Sequence, residues 1–257
     1  MRLILRLKIK TQFLRRWHLY YILSLFLFAM IIGYTLAFSY ISIMKYCSFR
    51  ATFDLALYNQ LYWLTLHGGP AAWERYAYHY FQTYNEQSYP YHKLSFIIFL
   101  PFYAIHPHPE TLLIFQSLVI SLAAIPLYFL ALKYTRSRSF ASLISFAYLA
   151  YYPIQNANLF DFHTQSIFPL FFFAAVYFWE SHKKVSFIIC TFIAALTSSF
   201  GVMVMVLFLL YTIYHRRNKN IIATLSPHEI LKSVRICPTE VCLTLILVTI
   251  LMLENYM

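Results

Sequence analysis

Long apolar runs separated by short basic clusters set the pattern of this chain. Residues 19–44 are apolar without interruption and exceed the roughly 20 residues that a membrane-crossing helix needs. Residues 45–108 form the one long polar segment. Within it, residues 53–69 read FDLALYNQLYWLTLHGG, with Leu57, Leu61 and Leu64 recurring at helical spacing. This predicts a helix lying at the membrane surface, ended by a Gly68-Gly69-Pro70 turn. Residues 94–105 are apolar but too short to span, which predicts a second interfacial helix. Residues 109–132 are long enough and open with Pro109 and Glu110, a proline at the first helical position and an acid in the first turn. Two shorter runs, 140–152 and 167–179, flank a polar break at 153–164 that contains NLFDFH. Residues 185–214 would make a helix of about 45 Å at 1.5 Å per residue, against a hydrocarbon core of about 30 Å. TSSFG at 197–201 is the expected break, making a pair of short helices. A basic linker at 215–240 leads to a short final helix within 241–257. The expected fold is all-α and polytopic, with about seven transmembrane helices and two interfacial helices in an outer loop.

Charge orients this pattern. The tail 1–16 carries Arg2, Arg6, Lys8, Lys10, Arg15 and Arg16 and no acid. A cleaved signal has a similar start, but its apolar region is about 7–15 residues, so 17–44 is expected to be a retained first helix. Placing every basic cluster in the cytoplasm, at the N-terminus, 133–138, 182–184 and 215–219, puts 45–108, 153–164 and the TSSFG break on the outer face. The bundle 109–214 lies between the outer loop and the basic linker. The composition agrees: 61% hydrophobic, 20% aromatic and 11% charged, where a soluble domain carries about 25% charged residues. The formal charge of +11 therefore reads as membrane topology, with the lipid bilayer as partner and no nucleic acid expected. The expected location is the plasma membrane, with a cytoplasmic N-terminus.

Candidate chemistry is sparse. Four glycines leave no glycine-rich phosphate loop, which favours a lipid-linked over a nucleotide-linked substrate. Cys47, Cys190, Cys237 and Cys242 lack metal-site spacing, so neither a zinc site nor a disulfide framework is expected. Asp54 and Asp161 are the only aspartates. Asp54 reads equally as a helix N-cap or as a functional acid at the mouth of its helix. The tyrosines Tyr76, Tyr78, Tyr80, Tyr84, Tyr89 and Tyr91 suit an interfacial aromatic belt or a platform for a sugar or lipid head group. His92 and His163 have an interfacial hydrogen-bonding reading beside a chemical one, and Glu110 a helix-dipole reading beside a substrate-binding one.

FDL in the first outer loop, then LHGG, a histidine before LPFYAIHPHPETLL, IPLYFLALKY and ANLFDFH occur in order. Over about residues 53–214 this resembles a prokaryotic membrane family, the domain of unknown function numbered 2079. More distantly it is similar to the GT-C membrane glycosyltransferases, such as protein O-mannosyltransferases and the aminoarabinose transferases of lipid A. The resemblance implies a polyprenyl-phosphate sugar donor and an acidic residue of the first outer loop acting on the acceptor or on a metal. Asp54 holds the matching position, His92 matches the family histidine before the second interfacial helix, and Asp161 and His163 match FDFH. In that reading Asp54 is the base, Arg75 or Lys93 meets the phosphate and His92 donates a hydrogen bond. Tyr89 and Glu110 complete the substrate-binding candidates. A divalent cation held by the two carboxylates with His92 and His163 ranks below a metal-free base, because two acids make a thin hard-cation site. The chain departs from the family at Gln165, where an acid is usual, and at Ser198-Ser199-Phe200, where Lys-Glu-Asp is usual. The resemblance also leads to the expectation of a truncated member that ends before the family's later helices. The alternative expectation is therefore a catalytically degenerate relative that acts as a binding or assembly subunit or handles lipid. A transporter is disfavoured by the lack of an internal repeat with paired broken helices.

Overall fold

The computed structural model describes residues 2–51, 53–83 and 89–223, with side chains over 25–51, 53–68, 95–198 and 200–214. The part of the expected basic linker at 224–240 and the expected final helix at 241–257 lie outside the described residues. Ten α-helices carry the described chain: α1 (Arg2–Cys47), α2 (Phe53–Thr83), α3 (Tyr89–Ile105), α4 (Pro109–Leu122), α5 (Ala124–Thr135), α6 (Arg138–Ala150), α7 (Tyr152–Phe160), α8 (Phe168–Glu180), α9 (Lys184–Ala195) and α10 (Ser199–Ala223). No strand occurs among the described residues.

Local chemistry accounts for most boundaries. Pro109 opens α4 and Pro153 opens α7, positions where the missing amide N–H costs nothing. Pro126 lacks the N–H that would bond Leu122, and the long apolar run turns at Ala123 into α4 and α5. Arg136 takes a left-handed conformation that closes α5, and the Ser137 hydroxyl accepts the Phe140 amide to open α6. The α9–α10 turn falls where TSSFG predicts it. Ser198 caps α10 by accepting the Gly201 amide at 3.0 Å.

Two expectations change. The helix at Phe53 does not stop at Gly68-Gly69-Pro70 but continues to Thr83. A proline removes one backbone bond and leaves its own φ helical, and Ala71 and Ala72, strong helix formers, follow it directly. The polar break at 153–164 is not a loop throughout. Tyr152–Phe160 is helical, and only Asp161 to His163 run on without helical structure before a 3₁₀ turn at Thr164–Ile167.

Two helical stretches, Leu25–Cys47 and Pro109–Thr135, are long and apolar enough to cross a membrane. Helices α6, α8 and α9 have 13, 13 and 12 residues, about 20 Å each at 1.5 Å per residue. Each falls short of a 30 Å hydrocarbon core. Large apolar side chains stand exposed on several helices, including Leu25, Phe28 and Leu36 of α1, Leu143 and Phe146 of α6, Ile189 of α9 and Leu207 and Leu210 of α10. Such a surface suits lipid better than water.

Four apolar clusters hold the helices among the described residues, the smallest of them Tyr128, Ala131 and Ala141 between α5 and α6. One joins α2, α3 and α4 around Phe162. A second joins α8, α9 and α10 through Trp179, Phe187 and Met205. A third seats α1 against α4, α5 and α6 through Ile31, Tyr34, Ile120 and Leu149. The second depends on Gly201. A Cβ there would lie 2.7 Å from the Ala194 carbonyl oxygen and 2.8 Å from Thr197 Oγ1. Thr197 Oγ1 is itself tied to that carbonyl at 2.8 Å, so neither atom yields easily. Gly201→Ala is expected to destabilise by about 1–3 kcal/mol from overpacking, despite alanine's helix-propensity advantage of about 1 kcal/mol. Thermal unfolding in detergent checks the sign, and an unchanged or raised midpoint would refute it.

Candidate functional site

The site forms where the C-terminus of α7 meets the N-terminus of α2 and the middle of α4. After α7 the chain extends at Asp161, with φ −163° and ψ −179°. Asp161 is buried, and its carboxylate is held by amides. Its Oδ2 accepts the backbone N–H groups of Asp54 at 3.0 Å and Leu55 at 3.3 Å, while Oδ1 accepts the Phe162 N–H at 2.8 Å. The first amides of α2 lack partners within their own helix, and Asp161, more than a hundred positions along the chain, supplies one. Its negative charge also faces the positive end of that helix. The opposite pole of α7 is matched in the same way. Lys45 Nζ, from the end of α1, donates to the carbonyls of Leu159 at 2.8 Å and Phe160 at 2.6 Å.

Gln116 of α4 fixes the remaining backbone. Its Nε2 donates to the Asp161 carbonyl at 2.9 Å and the Asn158 carbonyl at 3.2 Å, and its Oε1 accepts the His163 N–H at 2.7 Å. Asn158 in turn donates to Ser117 at 3.1 Å. Phe162 is fully buried, with the rings of Tyr58 and Phe99 each 5.2 Å away, edge to face. The DFH segment is therefore clamped on both sides of Phe162.

This leaves two side chains directed differently. Asp54 stands in the first turn of α2. Its carboxylate does not serve as the cap, because Asp161 takes that role; Oδ2 lies 3.8 Å from Nδ1 of His163. Both side chains are about 40% exposed, at 40% and 39%. Partial burial raises the Asp54 pKa above the ordinary aspartate range; nearby His163 opposes this, and the negative charge of Asp161 adds to it. The outcome is a half-buried carboxyl suited to proton exchange, beside an imidazole, on a rigid frame.

A cleft of about 240 Å³ opens next to His163. Ile120, Ile154, Phe168 and Phe200 make its walls mostly apolar, and Gln116 and Ser166 add polar atoms. Gln165 and Ser198 also line it. Positions 165, 198 and 200, three of the four departures expected from the resembled family, thus converge on the cleft that His163 lines.

Of the residues singled out in the sequence, Asp54, Asp161 and His163 come together. Glu110 does not join them: it lies six residues before Gln116 on α4, about 9 Å along the axis, and groups with His106 and His108. Arg75, Tyr89, His92 and Lys93 have backbones within α2 and α3, but their side chains lie outside the described residues. Sequence reasoning missed Gln116 and Lys45. The available signals were a glutamine next to a serine in the middle of an apolar span, and a lysine in the last turn of the first helix. Three amide N–H groups occupy most of the lone-pair sites of the Asp161 carboxylate.

No curated protein matches the chain, and no solved structure matches it. A family described as "Predicted membrane protein (DUF2079)" does match, over residues 45–255, a region that includes Asp54, Gln116, Asp161, His163 and the cleft. That match covers most of the 257 residues, and the chain belongs to this membrane-protein family of unknown function.

Proposed function

We propose that the protein is a GT-C-type membrane glycosyltransferase that moves a sugar from a polyprenyl-phosphate donor to an acceptor on the outer face of the plasma membrane. It does so within a bundle of about seven spans, with α2 and α3 lying at the interface. The observation that carries this reading is the half-buried Asp54 carboxyl, with a raised pKa, set 3.8 Å from His163 beside an apolar cleft. Asp54 accepts the proton of the acceptor hydroxyl. The acceptor oxygen then bonds to the anomeric carbon as the bond to the phosphate oxygen breaks, and the electron pair leaves on the polyprenyl phosphate. Arg75 or Lys93 neutralises that phosphate, His92 donates to it, and Tyr89 lies against the sugar or head group.

A second reading has its own support. Gln165, Ser198 and Phe200 leave the cleft wall without a fixed charge among the described residues, which suits a binding or assembly subunit that handles lipid. The two readings separate in reconstituted vesicles given a radiolabelled polyprenyl-phosphate sugar. Protein-dependent transfer supports the enzyme; folded wild-type protein without transfer supports the binding subunit. For the enzyme, the rate falls at low pH as Asp54 takes up a proton. His163→Gln removes the interaction that lowers the Asp54 pKa, so this acidic limb is expected to move to higher pH. An unmoved limb would separate His163 from the titrating group.

A further inference from the structure

The turn between α3 and α4 reads His106-Pro107-His108-Pro109-Glu110. Asp54 and His163 make no use of it. One ligating atom from each of His106, His108 and Glu110 lies within 4.8 Å of the others. The two imidazoles stack with centroids 4.3 Å apart and planes 21° from parallel, so they stand side by side. Both histidines are exposed and Glu110 is half-buried.

The backbone beneath them is fixed. The His108 N–H donates to the His106 carbonyl at 2.8 Å, and the Thr111 N–H donates to the His108 carbonyl at 3.1 Å. Thr111 Oγ1 donates to the His106 carbonyl at 2.6 Å. Pro107 and Pro109 hold φ on either side of His108. Ordering costs at the three ligands are thus confined to their side chains.

We propose that this turn is a binding site for a borderline divalent transition ion, held by two imidazole nitrogens and one carboxylate oxygen, with at least one coordination position left for water. Zinc at about 2.0–2.1 Å from nitrogen and oxygen places neighbouring ligand atoms about 3.4 Å apart in a tetrahedron. The three ligand atoms, now within 4.8 Å of one another, must draw together to that spacing when the ion binds. Imidazole ligands select zinc, copper or nickel over calcium and magnesium, which prefer oxygen sets. The positive end of α4, worth about half a charge, opposes a cation here, and the full negative charge of Glu110 more than offsets it. Nothing in this proposal depends on glycosyl transfer.

The test is equilibrium dialysis of the full chain, purified in detergent through a histidine-free tag and stripped with chelator, against Zn²⁺. One tight equivalent is expected. His106→Asn, His108→Asn and Glu110→Gln should each weaken it at least tenfold. Circular dichroism identifies any variant that fails to fold. The single-site Glu110→Gln keeps both helix and turn, so it carries the decision if a histidine variant is lost. Zinc binding of equal affinity and stoichiometry in folded Glu110→Gln and His106→Asn would overturn the site, as would the absence of a tight equivalent in the wild type.

Discussion

Asp54→Asn is expected to reduce sugar transfer by about 10²–10⁴-fold, the usual worth of a positioned general base, while the protein inserts and folds normally. The separation of effects follows from the site. The amides of α2 next to position 54 are held by Asp161, not by the Asp54 side chain. Asparagine keeps the size of the residue and loses only charge and basicity. The stability sign also follows. Because the Asp54 pKa is raised in the folded protein, the unfolded chain releases this proton first as pH rises. The stability contribution is complete below the unfolded pKa and is lost as pH passes through the folded one. At neutral pH the ionised carboxylate therefore slightly opposes folding, and exposure of about 40% screens the effect. Asparagine should leave the unfolding midpoint unchanged or slightly higher. The measurement pairs transfer in vesicles with thermal unfolding at matched protein level. Equal activity of wild type and variant would remove Asp54 from the chemistry. A large fall in midpoint would return it to a structural role.

Asp161→Ala is expected to have the opposite profile, lowering stability by about 3 kcal/mol or more. Three amide N–H groups, those of Asp54, Leu55 and Phe162, lose a charged acceptor. Each buried amide left without a partner costs about 1–3 kcal/mol. The three share one carboxylate, so their costs do not add fully. In a domain of this size the midpoint should fall by roughly 6–12 °C. Activity should fall with it, because α2 and the DFH segment lose the tie that sets Asp54 against His163. Asp161→Asn keeps one acceptor oxygen for the α2 amides and turns an amino group toward the Phe162 N–H, so its loss should be smaller. Cys190 is buried, which makes its reaction with a thiol dye a direct reporter of unfolding once Cys47, Cys237 and Cys242 are serine. An Asp161→Ala midpoint within 2 °C of wild type, about 1 kcal/mol or less, would contradict the capping role.

Elements dictated by neighbouring residues were legible in the chain itself. The helical character follows from long apolar runs. The short length of α6, α8 and α9 follows from turns at Arg136, Asp161, His182 and Leu196, where capping residues, basic clusters and the TSSFG break interrupt those runs. Asp54 and FDFH stood out because charges are rare in an apolar chain. Local punctuation misled at two places: past Pro70, where alanines carry α2 onward, and at Pro153, which opens α7 as a first-turn proline instead of ending in a loop.

The sequence alone determined that the chain is a helical membrane protein with few charged residues. Tertiary structure alone decided which aspartate caps α2. Asp54 occupies the first turn of its helix, where local rules assign a cap, yet Asp161 reaches the same amides from the far end of α7. Gln116 and Lys45 acquire their roles only when α4 and α1 bring them to that segment. The reason is the range of the interactions. Apolar periodicity and turn chemistry act over a few residues and are written in order along the chain. A buried carboxylate takes whichever unsatisfied donors packing places beside it, and that choice depends on contacts spanning more than a hundred residues.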